Sequence, residues 1–216
     1  MSRLQLDPAS IVERVRASGS TAHIPTLKES LLRGMLGFTF VSVAGFAPWA
    51  VGGSWFKAHG GILAMFLACA VIFIVLSGLL LHRLIIGPGS LGRFYAVFGL
   101  GFILYSAAWI PSYIYIRGHL GGVIGLGSGL ALMSLVFTFA FDSLNNFVKV
   151  FLSLFLLNAL GYFGGGIVVL GIIGYENTLT MLLWGICYGL GFGAGLGLAF
   201  YFCQEHHREM LKSSTS

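Results

Sequence analysis

Two polar side chains and three glycines stand out in "FLLNALGYFGGGIVVLG", residues 155–171. Asn158 and Tyr162 are four residues apart, which puts them on one face of a helix. An amide and a phenol can hydrogen-bond a small neutral or weakly polar solute. Gly164, Gly165 and Gly166 then fall near the middle of an over-long apolar segment. Discontinuous helices at that depth are where transporters open backbone groups to a solute or ion. Asn158, Tyr162 and Gly164–Gly166 are therefore the candidate solute-binding residues. The competing reading is architectural: an interhelical hydrogen bond from Asn158 and close packing at the glycines. In either case Ser128, Ser134 and Thr138 could supply polar partners.

Other groups that could do chemistry lack the company it requires. Of the six histidines, His59 and His119 are expected at one end of their spans, and His82, His206 and His207 at the other. A bis-histidine haem needs imidazoles facing each other inside two helices. No His-x3-His pair or carboxylate-rich cluster accompanies them, as a metal site would require. A cytoplasmic metal site from His82 with His206 or His207 is the weaker alternative. No metal or other cofactor is expected. Ser128 in "GLGSGL" resembles an intramembrane protease serine only superficially, because no later span carries a histidine base. "GPGSLGR", Gly87 to Arg93, offers exposed amides with Arg83 and Arg93, which could hold a phosphate or an anionic headgroup. It lacks the Lys-Ser/Thr ending of a nucleotide-binding loop and reads as a tight turn. Glu176 is the only acid expected on the outer side and reads as a solvated loop charge. Cys69, Cys187 and Cys203 lie in or at the end of apolar runs and form no disulfide framework.

The elements that must position these groups follow from composition. The 216-residue chain is 57% hydrophobic and 9% charged, with mean hydropathy +0.92. Soluble domains carry about 25% charged residues, so an integral membrane protein is indicated. The apolar runs are too long for the alternating strands of an outer-membrane barrel. A hydrocarbon core about 30 Å thick needs about 20 apolar helical residues. Six segments qualify: Gly34–Val51, Gly61–Leu81, Phe94–Ile116, Leu120–Phe141, Val148–Ile173 and Leu179–Cys203. The expected fold is an all-α polytopic membrane protein of six transmembrane helices. Residues 1–33 form an N-terminal segment, 34–203 the membrane domain and 204–216 a tail.

Ten of the twelve lysines and arginines fall on one side of this layout, leaving Lys57 and Arg117 on the other. Cationic flanks stay cytoplasmic. Both termini are accordingly expected in the cytoplasm, with the bacterial inner membrane as location. The net charge of +5 reads as this topology signal and not as a nucleic-acid surface. Residues 1–33 contain no apolar stretch ending in a cleavage site. Asp7-Pro8 is a helix start, Ile11, Val12 and Val15 make an apolar face, and Gly19 is a plausible stop. A short helix lying on the membrane surface is expected, with partner docking as the alternative. Pro25-Thr26 is a second start leading into the first span. Pro48 and Pro111, with Trp49, Trp55, Trp109, Tyr113, Tyr115 and Tyr175, read as an outer aromatic belt with kinked helix ends.

The last span, "WGICYGLGFGAGLGLAF", holds six glycines in seventeen residues. Inside lipid every backbone group must be paired, so the segment stays helical. Gly185, Gly189, Gly193 and Gly197 recur every fourth position and form one groove. Cys187, Gly191, Gly195 and Ala199 repeat the interval on the opposite side. Small residues at this spacing let backbones approach closely. Two such seams imply two close neighbours and an interior position. Gly121, Gly125 and Gly129 of the fourth span and Gly161 and Gly165 of the fifth suggest a tight cluster of the last three spans, with the apolar second span nearer lipid. Two functions fit: a permease- or channel-like protein for a small neutral or weakly polar solute, or a non-catalytic structural or assembly subunit. An enzyme ranks third, since no buried acid, base or metal-ligand set is present. The expected partners are the lipid bilayer and either further copies of the chain or another membrane subunit, and no nucleic acid.

Overall fold

A computed structural model describes residues 4–18, 23–174 and 177–213, with the side chains of Leu170, Ile172 and Ile173 excepted. Gly19, Tyr175 and Glu176 lie outside the described residues. The described residues form helices joined by short connections, with no strand among them. Its helices are α1 (Pro8–Ala17), α2 (Leu27–His59), α3 (Gly61–Leu81), α4 (Ser90–Pro111), α5 (Gly118–Ala140), α6 (Phe147–Ala159), α7 (Gly165–Ile173), α8 (Thr178–Cys203) and α9 (Glu205–Ser213). A π-helical turn, Ser112–Ile116, extends α4, and another, Leu160–Gly164, joins α6 to α7. Six stretches are long and apolar enough to cross a membrane, making this a multi-pass membrane protein by length and composition.

The first of them starts earlier than hydropathy alone suggests. Thr26 accepts the Glu29 amide while Glu29 returns a bond to the Thr26 amide, and this reciprocal cap opens α2 at Leu27, seven residues before Gly34. α3 begins at Gly61, separated from α2 by Gly60 alone. Pro48 is accommodated within α2, and Pro111 ends α4 where the π-helical turn takes over.

α8 is the most buried span and α3 the least. The main neighbours of α8 are α2 and α6. On the α2 side, a Cβ added to Gly193 would overlap the Gly34 carbonyl, and one on Gly189 would lie 2.6 Å from the Thr39 Cα. The Ser42 hydroxyl donates to the Gly185 carbonyl at 2.6 Å across the same seam. On the α6 side, a Cβ on Gly195 would stand 3.1 Å from the Leu154 Cα, and one on Gly161 2.6 Å from the Cys187 carbonyl oxygen. The expected cluster of the last three spans is therefore corrected: the first span, not the fourth, lines the Gly185–Gly197 groove. Gly121, Gly125 and Gly129 turn instead to the third span, against Ser112, Trp109 and Tyr105. The bulk of Trp109 and Tyr105 explains that choice, because a Cβ on Gly129 would stand 2.8 Å from the Tyr105 ring.

The two ends of the bundle are filled differently. Towards the chain termini, phenylalanines interlock: ring centroids lie 5.1 Å apart for Phe94 and Phe98, 5.3 Å for Phe94 and Phe200, and 4.8 Å for Phe137 and Phe200. All four are fully buried. Beneath them α1 packs on α9, which places the first and last helices on the same face of the bundle. Asp7 caps α1 through the Ser10 amide, as its sequence predicts, and hydrogen bonding from the Ser10 side chain and then from its amide holds the carboxyl below the ordinary range. The apolar face of Ile11, Val12 and Val15 is not spread on lipid. It is buried in the protein's own core together with Leu6 and Leu211.

His207 of α9 is fully buried at this junction. Its Nε2–H donates to the Leu6 carbonyl at 2.7 Å, leaving Nδ1 buried and unpartnered. Burial lowers its pKa, opposed by the Leu6 bond, with His206 and Arg208 lowering it further and Asp7 raising it. The docked imidazole is therefore neutral, and an undocked one takes a proton near pH 6.5. The undocked state binds the extra proton, so docking is strongest above that pH and weakens as pH falls through it towards the lowered value. Spin labels at Ala9 and Glu209 should move apart between pH 7.5 and 5.5. A His207→Phe variant should lose that pH response.

Candidate functional site

At the end away from the termini, a cavity of about 170 Å³ lies between α2, α3, α4 and α8. Its wall is aromatic: Phe46 and Trp49 from α2, Phe73 from α3, Phe102, Tyr105 and Trp109 from α4, Tyr113 and Tyr162 from the two π-helical turns, and Trp184 and Tyr188 from α8. Ser106, Cys69 and Ala70 complete the inner lining, and Ile62 and Phe66 the side toward lipid. No lining residue is charged. The rings hold one another in edge and stacked contacts. Trp184 lies 5.7 Å from Phe46, 5.9 Å from Trp49 and 5.1 Å from Tyr162, separations at which aromatic pairs are attractive.

Two tyrosines of the lining bring their hydroxyls together. The hydroxyls of Tyr105 and Tyr188 approach to 3.4 Å, long for an O–H···O bond. The Asn158 amide faces this pair from α6. Asn158 is completely buried, and neither its Oδ1 nor its Nδ2 closes a hydrogen bond. Buried polar side chains are nearly always satisfied, and the shortfall is costly at low dielectric. Asn158 is not itself on the cavity wall; it stands behind the two tyrosines, which are.

The structure brings together part of the sequence-derived site. Tyr162 is on the cavity wall and Asn158 is one layer deeper. The helix interruption falls one turn before the glycine triplet, as the π-helical turn Leu160–Gly164, and the chain resumes as α7 at Gly165 without unwinding. π-Bulges of this kind concentrate at functional sites. The Trp184 indole donates to the Tyr162 carbonyl at 2.9 Å and fixes the turn to α8. Gly165 packs on Cys187, while a Cβ on Gly164 would meet open space and one on Gly166 only the Trp184 indole at 3.8 Å. Ser128, Ser134 and Thr138 do not meet Asn158, since their hydroxyls bond back to the carbonyls of their own helix at Ile124, Leu130 and Ser134. Tyr105 and Tyr188 take the place expected for them.

Two belt residues are also reassigned. Trp49 and Trp109 line the cavity half-buried, Tyr113 borders it while staying exposed, and Trp55 and Tyr115 remain outward-facing. Tyr105 and Tyr188 were detectable only as hydroxyl-bearing rings at mid-span, a signal weaker than an amide. The histidines do not converge. His59 stacks on Trp55, His82 bonds Ser90 and His206 bonds Glu209. Among the described residues no group of three or more His, Cys, Asp or Glu could hold a metal ion. The "GPGSLGR" turn uses Gly87 and Gly89 at positive φ and is tied to the end of α8. Gln204 accepts the Ile86 amide at 2.8 Å and donates to the Leu84 carbonyl at 2.8 Å.

These features define a six-helix membrane protein with an uncharged aromatic cavity at one end. The chain matches no protein-family model, no curated protein and no solved structure.

Proposed function

We propose that the protein is a small permease- or channel-like protein of the bacterial inner membrane, with both termini cytoplasmic, passing a neutral or weakly polar solute through the aromatic cavity. The observation that carries this reading is the unsatisfied Asn158 amide beside the loosely paired Tyr105 and Tyr188 hydroxyls. A solute oxygen reaching the tyrosines lets them relay hydrogen bonds to the amide, supplying partners the protein itself withholds. The phenylalanine plug on the terminal side suits a state closed towards the cytoplasm. The glycine seams along α8 act as smooth surfaces on which α2 and α6 can shift to open it. The exclusion of charge from the wall favours neutral cargo.

Stopped-flow light scattering on proteoliposomes, with urea, glycerol, xylitol and benzamide as solutes, tests this. The wild type should pass at least one of them faster than protein-free vesicles. Asn158→Leu should lose most of that flux, on the order of tenfold. It should hold or raise thermal stability, since removing an unpaired buried amide relieves about 1–3 kcal/mol. Flux no faster than protein-free vesicles for all four solutes overturns the reading. A second reading, an assembly subunit, is favoured by the uncovered strip where Gly164 and Gly171 have open space beside exposed Ile167 and Val168. It predicts that Asn158→Leu changes assembly or stability and leaves vesicle permeability untouched.

A further inference from the structure

We infer that the cavity selects a neutral, single-ring aromatic molecule carrying one hydroxyl or carbonyl oxygen. This inference rests on the reading of the cavity as a solute site and names the class of solute. Size sets the first limit. An apolar protein cavity of about 150 Å³ accepts benzene, and the volume here is about 170 Å³. One ring with a single polar substituent fits.

Shape and chemistry set the second limit. The walls present ring faces and edges on several sides, from Phe46, Trp49, Trp109 and Trp184, so an aromatic guest gains edge and stacked contacts on entering. A saturated ring of the same size buries its area without that gain. The Tyr105 and Tyr188 hydroxyls stand 3.4 Å apart, and the Trp109 indole N–H on the same wall is buried without a partner. The loose pair leaves hydroxyl capacity free for an oxygen of the guest, and the indole offers it a further donor. Charge sets the third. Aromatic faces attract cations, but the lining has no carboxylate to balance one, and an unbalanced ion in this setting is costly. A lipid acyl chain reaching in past Ile62 and Phe66 would fill space and leave the hydroxyls unanswered.

Isothermal titration of the detergent-solubilised protein with phenol, cyclohexanol, benzene and tetramethylammonium separates these occupants. Phenol should bind with a dissociation constant on the order of 1 mM or below, at least fivefold tighter than cyclohexanol, with no heat from tetramethylammonium. The Tyr105→Phe/Tyr188→Phe double variant should weaken phenol about tenfold and leave benzene unchanged. Ala70→Phe, which fills the cavity from α3, should abolish both and serves if the double variant fails to fold. Equal affinity for phenol and cyclohexanol overturns the inference, as does a phospholipid that native mass spectrometry finds retained and phenol does not displace. Phenol binding without vesicle flux sustains the ligand class and removes the permease. Flux of urea or glycerol without phenol binding does the reverse.

Discussion

Gly193→Ala is expected to destabilise the protein by on the order of 3 kcal/mol, while Gly53→Ala is neutral or stabilising by up to about 1 kcal/mol. The chemical change is identical and the surroundings decide its sign. At Gly193 the new methyl would overlap the Gly34 carbonyl and lie 2.9 Å from the Phe38 Cβ. Neither atom belongs to a flexible side-chain tip, so the whole α2–α8 contact must open. Wider separation then propagates, because the neighbouring Gly189 and Gly197 meet the α2 backbone in the same way. At Gly53, also in α2, a Cβ meets nothing within 4 Å, and only the intrinsic helix preference for alanine remains. Thermal unfolding in a mild detergent checks the pair. Equal midpoints for the two variants would mean that α2 and α8 do not approach main chain to main chain.

Gln204→Leu should cost roughly 2–5 kcal/mol. Gln204 is 1% exposed and makes three bonds at once: from the Ile86 amide, to the Leu84 carbonyl and to the Phe200 carbonyl. Leucine keeps the volume but strands the Ile86 amide and the Leu84 carbonyl. Each stranded buried group is worth about 1–3 kcal/mol. The damage should be local to the α3–α4 connection, which Gln204 clamps to the end of α8. Faster proteolysis after Arg83 together with a lowered unfolding midpoint is the expected pattern. Unchanged proteolysis would show that the turn holds itself.

Span number and the position of α8 were legible in the sequence because both rest on one-dimensional signals. Apolar length sets the former, and four-residue glycine spacing on two faces sets the latter. The identity of the neighbours was not legible. A seam states that something approaches closely and not which helix does, and here the first span was concealed by having only Gly34 and Ser30, Ser42 and Gly45 as small, buried contact positions. Asn158 and Tyr162 drew notice as polar groups among apolar ones. The groups that face Asn158, Tyr105 and Tyr188, sit 53 and 30 residues from it on other helices, and no local pattern links such distances. The same reason hid the cavity: Trp49 and Trp109 have the composition of a membrane belt, and only the packing of α2, α4 and α8 sets them on a shared wall. The α1 face shows the converse limit, since an amphipathic helix is equally suited to lipid and to α9.

The most direct test of the cavity as the solute route is the flux of an Ala70→Phe variant in the same proteoliposomes. Ala70 is on the wall, half-buried, and belongs to α3, outside the α2–α8 seam. A phenyl group there occupies the space a guest needs and leaves Asn158, Tyr105 and Tyr188 in place. Flux at the level of protein-free vesicles with an unchanged unfolding midpoint is the predicted result; wild-type flux through a filled cavity would contradict it.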